Sequence, residues 1–143
     1  MGVLEGTREA MAQIDTVLAD LMRVWLLGPD GWTMPVCEIA AKVGHSYRYI
    51  WEPVSGGEGF GFTGELLENE PPHRAVTTET MIGADFPASL NELTLTPVDG
   101  GTLLSLVITD AAQRDAILAT GMTSGMETSY QRLESILAVS FTA

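Results

Sequence analysis

The period of the apolar residues changes twice along this chain, from helical to two and back to helical, and that change confines it to a helix, an antiparallel sheet and a helical end in that order. Between Arg8 and Leu27 the residues Met11, Ile14, Leu18, Leu21 and Trp25 recur at spacings of three and four, with Ala10 and Val17 widening the stripe. An amphipathic helix is expected there. It should end at Gly28-Pro29-Asp30-Gly31, where glycine accepts left-handed geometry and proline cannot continue the hydrogen-bond ladder.

From Met34 to Asp110 the period is two. Strands are expected over 34–39, 45–53, 59–68, 73–82, 89–98 and 102–109, broken at Val43-Gly44, Ser55-Gly56-Gly57, Pro71-Pro72, Phe86-Pro87 and Asp99-Gly100-Gly101. Alternation places Tyr47, Tyr49 and Trp51 on one face of the second strand, Phe60 and Phe62 on one face of the third, and Leu104, Leu106 and Ile108 on one face of the last. These faces should turn inward. Gly64 shares the side of Phe60 and Phe62, so a tryptophan placed there is expected to fill the interior and leave the fold intact. Beyond the strands, Asp110 and Gln113 have capping-box spacing, and a short helix through Ile117 and Leu118 stops at Gly121. Ser124 and Glu127 form a second such box, opening a helix with Met126, Tyr130, Leu133 and Leu137 as one apolar stripe.

Composition removes several function classes. The length of 143 residues suits one domain over 1–143, and no repeat or linker divides it. Although 45% of residues are hydrophobic, no apolar run approaches the ~20 needed to cross a bilayer, and the start lacks a basic segment followed by an apolar one. A cytoplasmic location is expected. A single cysteine and two histidines exclude an internal disulfide and a Cys/His metal site, so no cofactor is expected. The net charge of −12 repels phosphate backbones and anionic membranes alike, which argues against nucleic-acid and membrane partners.

Five motifs occur in a fixed order. Trp25-Leu26-Leu27-Gly28-Pro29-Asp30-Gly31-Trp32 is followed by Val43-Gly44 with Tyr47-Arg48-Tyr49, then by Gly64-Glu65-Leu66 through Pro71-Pro72-His73-Arg74. Gly100-Gly101-Thr102-Leu103-Leu104 comes next, and Gly121-Met122, Gly125-Met126 and Tyr130-Gln131-Arg132-Leu133 close the series. Over about residues 21–138 this resembles the activator-of-Hsp90-ATPase-homologue-like branch of the START-like (SRPBCC) superfamily. The resemblance implies an α+β helix-grip fold, a curved antiparallel sheet wrapped around a long C-terminal helix, with a hydrophobic cavity between them. Relatives usually begin with a strand, whereas most of the twenty residues before Leu21 have helical period, so the first strand is expected to be missing. The edge so exposed should be covered by Met1–Thr7 or by a second subunit, and a homodimer is expected.

The candidate ligand-binding residues are Tyr47, Tyr49, Trp51, Phe60, Phe62, Met122, Met126 and Tyr130, for a small apolar or amphipathic molecule. A solid core would use the same residues. Two other functions stand beside binding. One is a cyclase- or aromatase-like enzyme moving protons with Tyr47, Tyr49, Tyr130 or a buried carboxylate, and the other is a co-chaperone-like interaction domain. No complete catalytic constellation is present. His45 and His73 are read as surface residues at strand ends, Cys37 as a buried inert thiol, and Glu79 and Glu92 as exposed carboxylates. Ser129 has no histidine or lysine near it in sequence, and Gly121-x-x-x-Gly125 reads as a helix stop and a helix start.

Overall fold

A computed structural model of the chain describes residues 19–85 and 87–141, without the side chains of 139–141. Helix α1 occupies residues 19–25, the last part of the expected first helix. The earlier part of that helix, the missing first strand and any cover from Met1–Thr7 lie outside the described residues. Six strands follow as β1 (Trp32–Glu38), β2 (Ser46–Pro53), β3 (Phe60–Glu70), β4 (Arg74–Met81), β5 (Ser89–Val98) and β6 (Gly101–Ile108), and then α2 (Ala111–Ala119) and α3 (Met122–Phe141). Each strand pairs antiparallel with the next, giving a meander in the order β1-β2-β3-β4-β5-β6. Breaks in register between Thr33 and Val36 and between Leu66 and Glu68 add local twist, and the sheet curls into a half-barrel.

Directly opposed residues share a face, so the register spells out the concave surface row by row. Cys37, Tyr49, Phe62 and Met81 form one row across four strands. Tyr47 lies opposite Gly64, and Trp51 opposite Phe60. Glu79 lies opposite Ser89, and Thr77, Asn91 and Ile108 make a further row. The core gathers at the β1–β3 side, where Met34, Cys37, Trp51 and Phe62 are buried beneath Ala19, Met22, Leu26 and Leu27 and meet Met122. Helix α1 is fastened there by Arg23, whose Nε donates to the Met34 carbonyl at 3.3 Å.

The far side is different. Leu104 and Leu106 face the concave side by register, as expected, but stand 36% and 41% exposed, and the other face of β6 exposes Leu103 and Val107. Inward direction did not guarantee burial, because the core closes over β1–β3 and leaves β6 at the margin.

The helical end also departs from expectation. Asp110 does cap α2, its Oδ1 accepting from the Gln113 N–H at 2.7 Å, but the Gln113 side chain completes no capping box: it is buried, and its Oε1 has no hydrogen-bond partner among the described residues. Ser124 does not occupy the cap position of α3. The chain turns at Gly121 (φ 76°) and α3 starts at Met122, so Ser124 already lies in the first turn, where its carbonyl accepts from Thr128 Oγ1. Nor is the buried face of α3 the stripe Met126–Leu137. It is centred on Gly125 and Ser129, with Leu137 exposed and Leu133 half-buried.

Those two small residues hold the helix. Gly125 faces the 28–29 turn so closely that a Cβ would lie 3.1 Å from Pro29 Cδ and 3.6 Å from Gly28 Cα. Ser129, 2% exposed, accepts the Gly28 N–H on its Oγ at 2.8 Å. Arg132 donates to the Gly28 carbonyl at 2.7 Å and to Asp30 Oδ1 at 2.8 Å. The first and last sequence motifs are thus two sides of one contact, and Ser129 has a structural hydrogen bond there.

Candidate functional site

The aromatic residues of β2 and β3 form a ladder on the concave face. Ring centroids lie 5.0 Å apart for Tyr47 and Tyr49, 6.1 Å for Tyr49 and Trp51, 5.2 Å for Trp51 stacked on Phe60, and 6.0 Å for Phe60 and Phe62. Such tilted and edge-on pairs are favourable beyond their area alone. Trp51 satisfies its indole N–H by donating to the Leu26 carbonyl at 2.7 Å, which ties the ladder to the segment after α1.

Tyr47 reaches across two strands. Its hydroxyl donates to the Thr78 carbonyl at 2.7 Å, passing over Gly64, where a Cβ would overlap the Thr78 carbonyl and lie 2.7 Å from Tyr47 Cε1. Gly64 therefore cannot be filled by tryptophan with the fold left intact, contrary to expectation: its empty side is already occupied by the tyrosine ring.

Beyond the ladder the face turns polar. Glu79 is half-buried on the concave side, not exposed as expected by default for a carboxylate whose face alternation alone left open. Burial raises its carboxyl above the usual carboxylate range, while a hydrogen bond from Asn91 pulls the other way. Asn91 is itself buried and accepts from Ser89 Oγ at 3.0 Å, so Ser89, Asn91 and Glu79 form a short polar chain. The two tyrosines feel the same environment. Burial first, and then the nearby Glu79 charge, hold the Tyr47 hydroxyl well above its ordinary value, and burial, Cys37 and Glu79 push Tyr49 up to about 12.

Of the eight candidates, Tyr47, Tyr49, Trp51, Phe60 and Phe62 come together on this face, and Met122 packs against the same core. Met126 and Tyr130 do not join them. They line an open groove of about 480 Å³ along α3, with Thr123, Glu127, Gln131 and Glu134, and Tyr130 lies 6.0 Å from Trp25. Glu92 faces away from the interior and pairs with Arg74 at 2.9 Å; Arg74 also binds Glu68 and Glu70. Cys37 is buried, and its thiol is raised by that burial against the opposing pull of Arg23, which suits an inert group. His45 and His73 are exposed.

The family model for Activator of Hsp90 ATPase homolog 1-like protein matches residues 16–138. The chain belongs to this family. A crystal structure from Rhodobacter sphaeroides is 33% identical, covering 90% of this chain and 85% of its own, with a TM-score of 0.73. A Chromobacterium violaceum crystal structure is 28% identical over 80% of this chain and 78% of its own, with a TM-score of 0.64. The solution structure of an AHSA1-like protein from Aeromonas hydrophila, 19% identical over 82% of this chain and 78% of its own with a TM-score of 0.62, shows the same fold. No protein of curated function matches the chain. The family places the chain in the START-like superfamily, whose fold commonly binds ligands or interacts with proteins. Among the described residues no helix is long and apolar enough to cross a membrane.

Sequence reasoning missed Ser89 and Asn91 and misjudged Glu79. The signal for all three lay in the β4–β5 register, which brings Glu79 opposite Ser89 and which alternation within each strand does not fix.

Proposed function

We propose that the protein binds a small amphipathic molecule on the concave face of its sheet, beneath the C-terminal helices. The observation that carries this reading is the gradient along that face, from the Trp51–Phe60–Phe62 ladder to the half-buried Glu79. Binding sites are mostly apolar with a few polar groups that orient the ligand, and this face has that composition. No catalytic step is assigned: the buried tyrosines are held protonated, and Tyr47 already spends its proton on Thr78.

Titration with an environment-sensitive apolar dye tests the reading. Saturable binding at a defined stoichiometry is expected, with Phe62→Ala weakening it in a folded protein. Non-saturable dye uptake, or binding unchanged by that substitution, would count against the site.

A second reading, self-association, is favoured by β6, an uncharged outer strand with apolar side chains exposed on both faces. Bare strand edges of this kind are usually covered, and a twofold dimer is the commonest cover. Light scattering at micromolar concentration should report a dimer that Val107→Lys dissociates, and a monomeric wild type would end this reading.

A further inference from the structure

We propose that the ligand of the concave face is an amphipathic cation, an ammonium group on an apolar body, received by Glu79. This rests on the reading of that face as a binding site and specifies the chemistry of what it takes.

Glu79 makes no ion pair with any cation among the described residues, although Arg74, three strand positions before its neighbour Thr77 on β4, is shared among Glu68, Glu70 and Glu92 on the opposite face. A carboxylate withdrawn from water without a partner is costly, and one hydrogen bond from Asn91 offsets only part of that cost. Ser89 and Asn91 are already engaged with each other through the Ser89 hydroxyl and the Asn91 carbonyl oxygen.

What remains unsatisfied on this side of the molecule is acceptor capacity. Helix α2 packs on β6 and α3, and its Gln113 is 4% exposed with Oε1 lacking a partner among the described residues. The register places Ile108, at the end of β6 just before α2, opposite Asn91. The Glu79 carboxylate, with Asn91 as donor and no compensating cation, and the Gln113 amide oxygen, without a donor among the described residues, therefore belong to the same end of the sheet. An ammonium supplies three donors and the compensating charge together.

The rest of the site agrees with a cation. The Tyr47 and Tyr49 rings pack 5.0 Å apart with their hydroxyls within reach of the Glu79 charge, and aromatic rings attract ammonium groups. The apolar ladder on one side and Leu93 with Leu106 on the other offer surface for a hydrocarbon body. A net charge of −12 raises the local concentration of cations and lowers that of carboxylates.

Three probes of one chain length, decylamine, decanol and decanoate, separate the possibilities by calorimetry at pH 7 below their aggregation limits. The expected order is decylamine tightest, by about tenfold or more over decanol, as suits a hydrogen bond to a charged group, with decanoate weakest. Glu79→Gln should abolish the preference for the amine while retaining decanol, and Glu79→Met should do the same, with circular dichroism confirming that each is folded. Equal binding of amine and alcohol by the wild type, or a preference that survives both substitutions, overturns the assignment of the cation while the binding site stands. Binding of none of the three overturns the site itself.

Discussion

At neutral pH the Glu79 carboxyl sits where its charge is unwelcome, and the sign of its effect on stability follows from that. Its folded pKa lies above the unfolded value, so its contribution is fully present below the unfolded carboxyl range of about 4.3 and is lost as pH rises through the folded value. Glutamine at the same position titrates in neither state. Glu79→Gln should therefore raise the melting temperature at pH 7 and change it much less at pH 4, measured by thermal unfolding without ligand. A gain of the same size at both pH values would show that side-chain packing, and not the charge, is responsible. Arg74 presents the opposite case. The hydrogen bonds it donates to Glu68 and then to Glu92 raise its pKa further above the ordinary arginine value, and it gathers three glutamates that would otherwise repel one another on the outer face of β3, β4 and β5.

Among the elements, α3 depends on side chains that carry almost no hydrophobic signal. Gly125→Val should place a branched side chain against Pro29 and cost about 1–3 kcal/mol in chemical denaturation, as overpacking typically does. Gly125→Ala should come out near neutral, because the close contact is offset by alanine's better helix propensity of about 1 kcal/mol. Ser129→Ala should cost about 1–3 kcal/mol by leaving the Gly28 N–H without its acceptor. If the valine variant matched the wild type, the helix would not be seated on the 28–29 turn. All six strands were readable from alternation and turn residues, because period two and Gly/Pro punctuation are local signals that the hairpins of a meander preserve. The face of α3 was not. A stripe drawn through Met126, Tyr130 and Leu137 follows hydrophobicity, whereas the contact that seats the helix selects residues small enough for the backbone of the turn to approach. The site divides in the same way: Tyr47 through Phe62 follow from alternation, and Glu79 with Asn91 follow only from the register between two strands.

For the molecule as a whole, neighbouring strands in sequence are neighbours in the sheet, so most pairing is local, and the contact between the Gly28 turn and α3 is a long-range exception. Gly28 and Ser129 are 101 positions apart, and Gly28 and Arg132 are 104. Closing a flexible loop of that length costs about 4 kcal/mol by chain entropy, a cost largely met once the sheet has gathered the intervening strands. The contact should then form after the rate-limiting step, so Ser129→Ala should speed unfolding in stopped-flow measurements and leave the refolding limb unchanged. Slower refolding would place the contact in the nucleus instead. If it closes late, the Gly28–Ser129–Arg132 contact acts as a clasp that determines how long each molecule remains folded, and so its resistance to proteases that act faster than it can reclose, while the hairpins determine how quickly it folds.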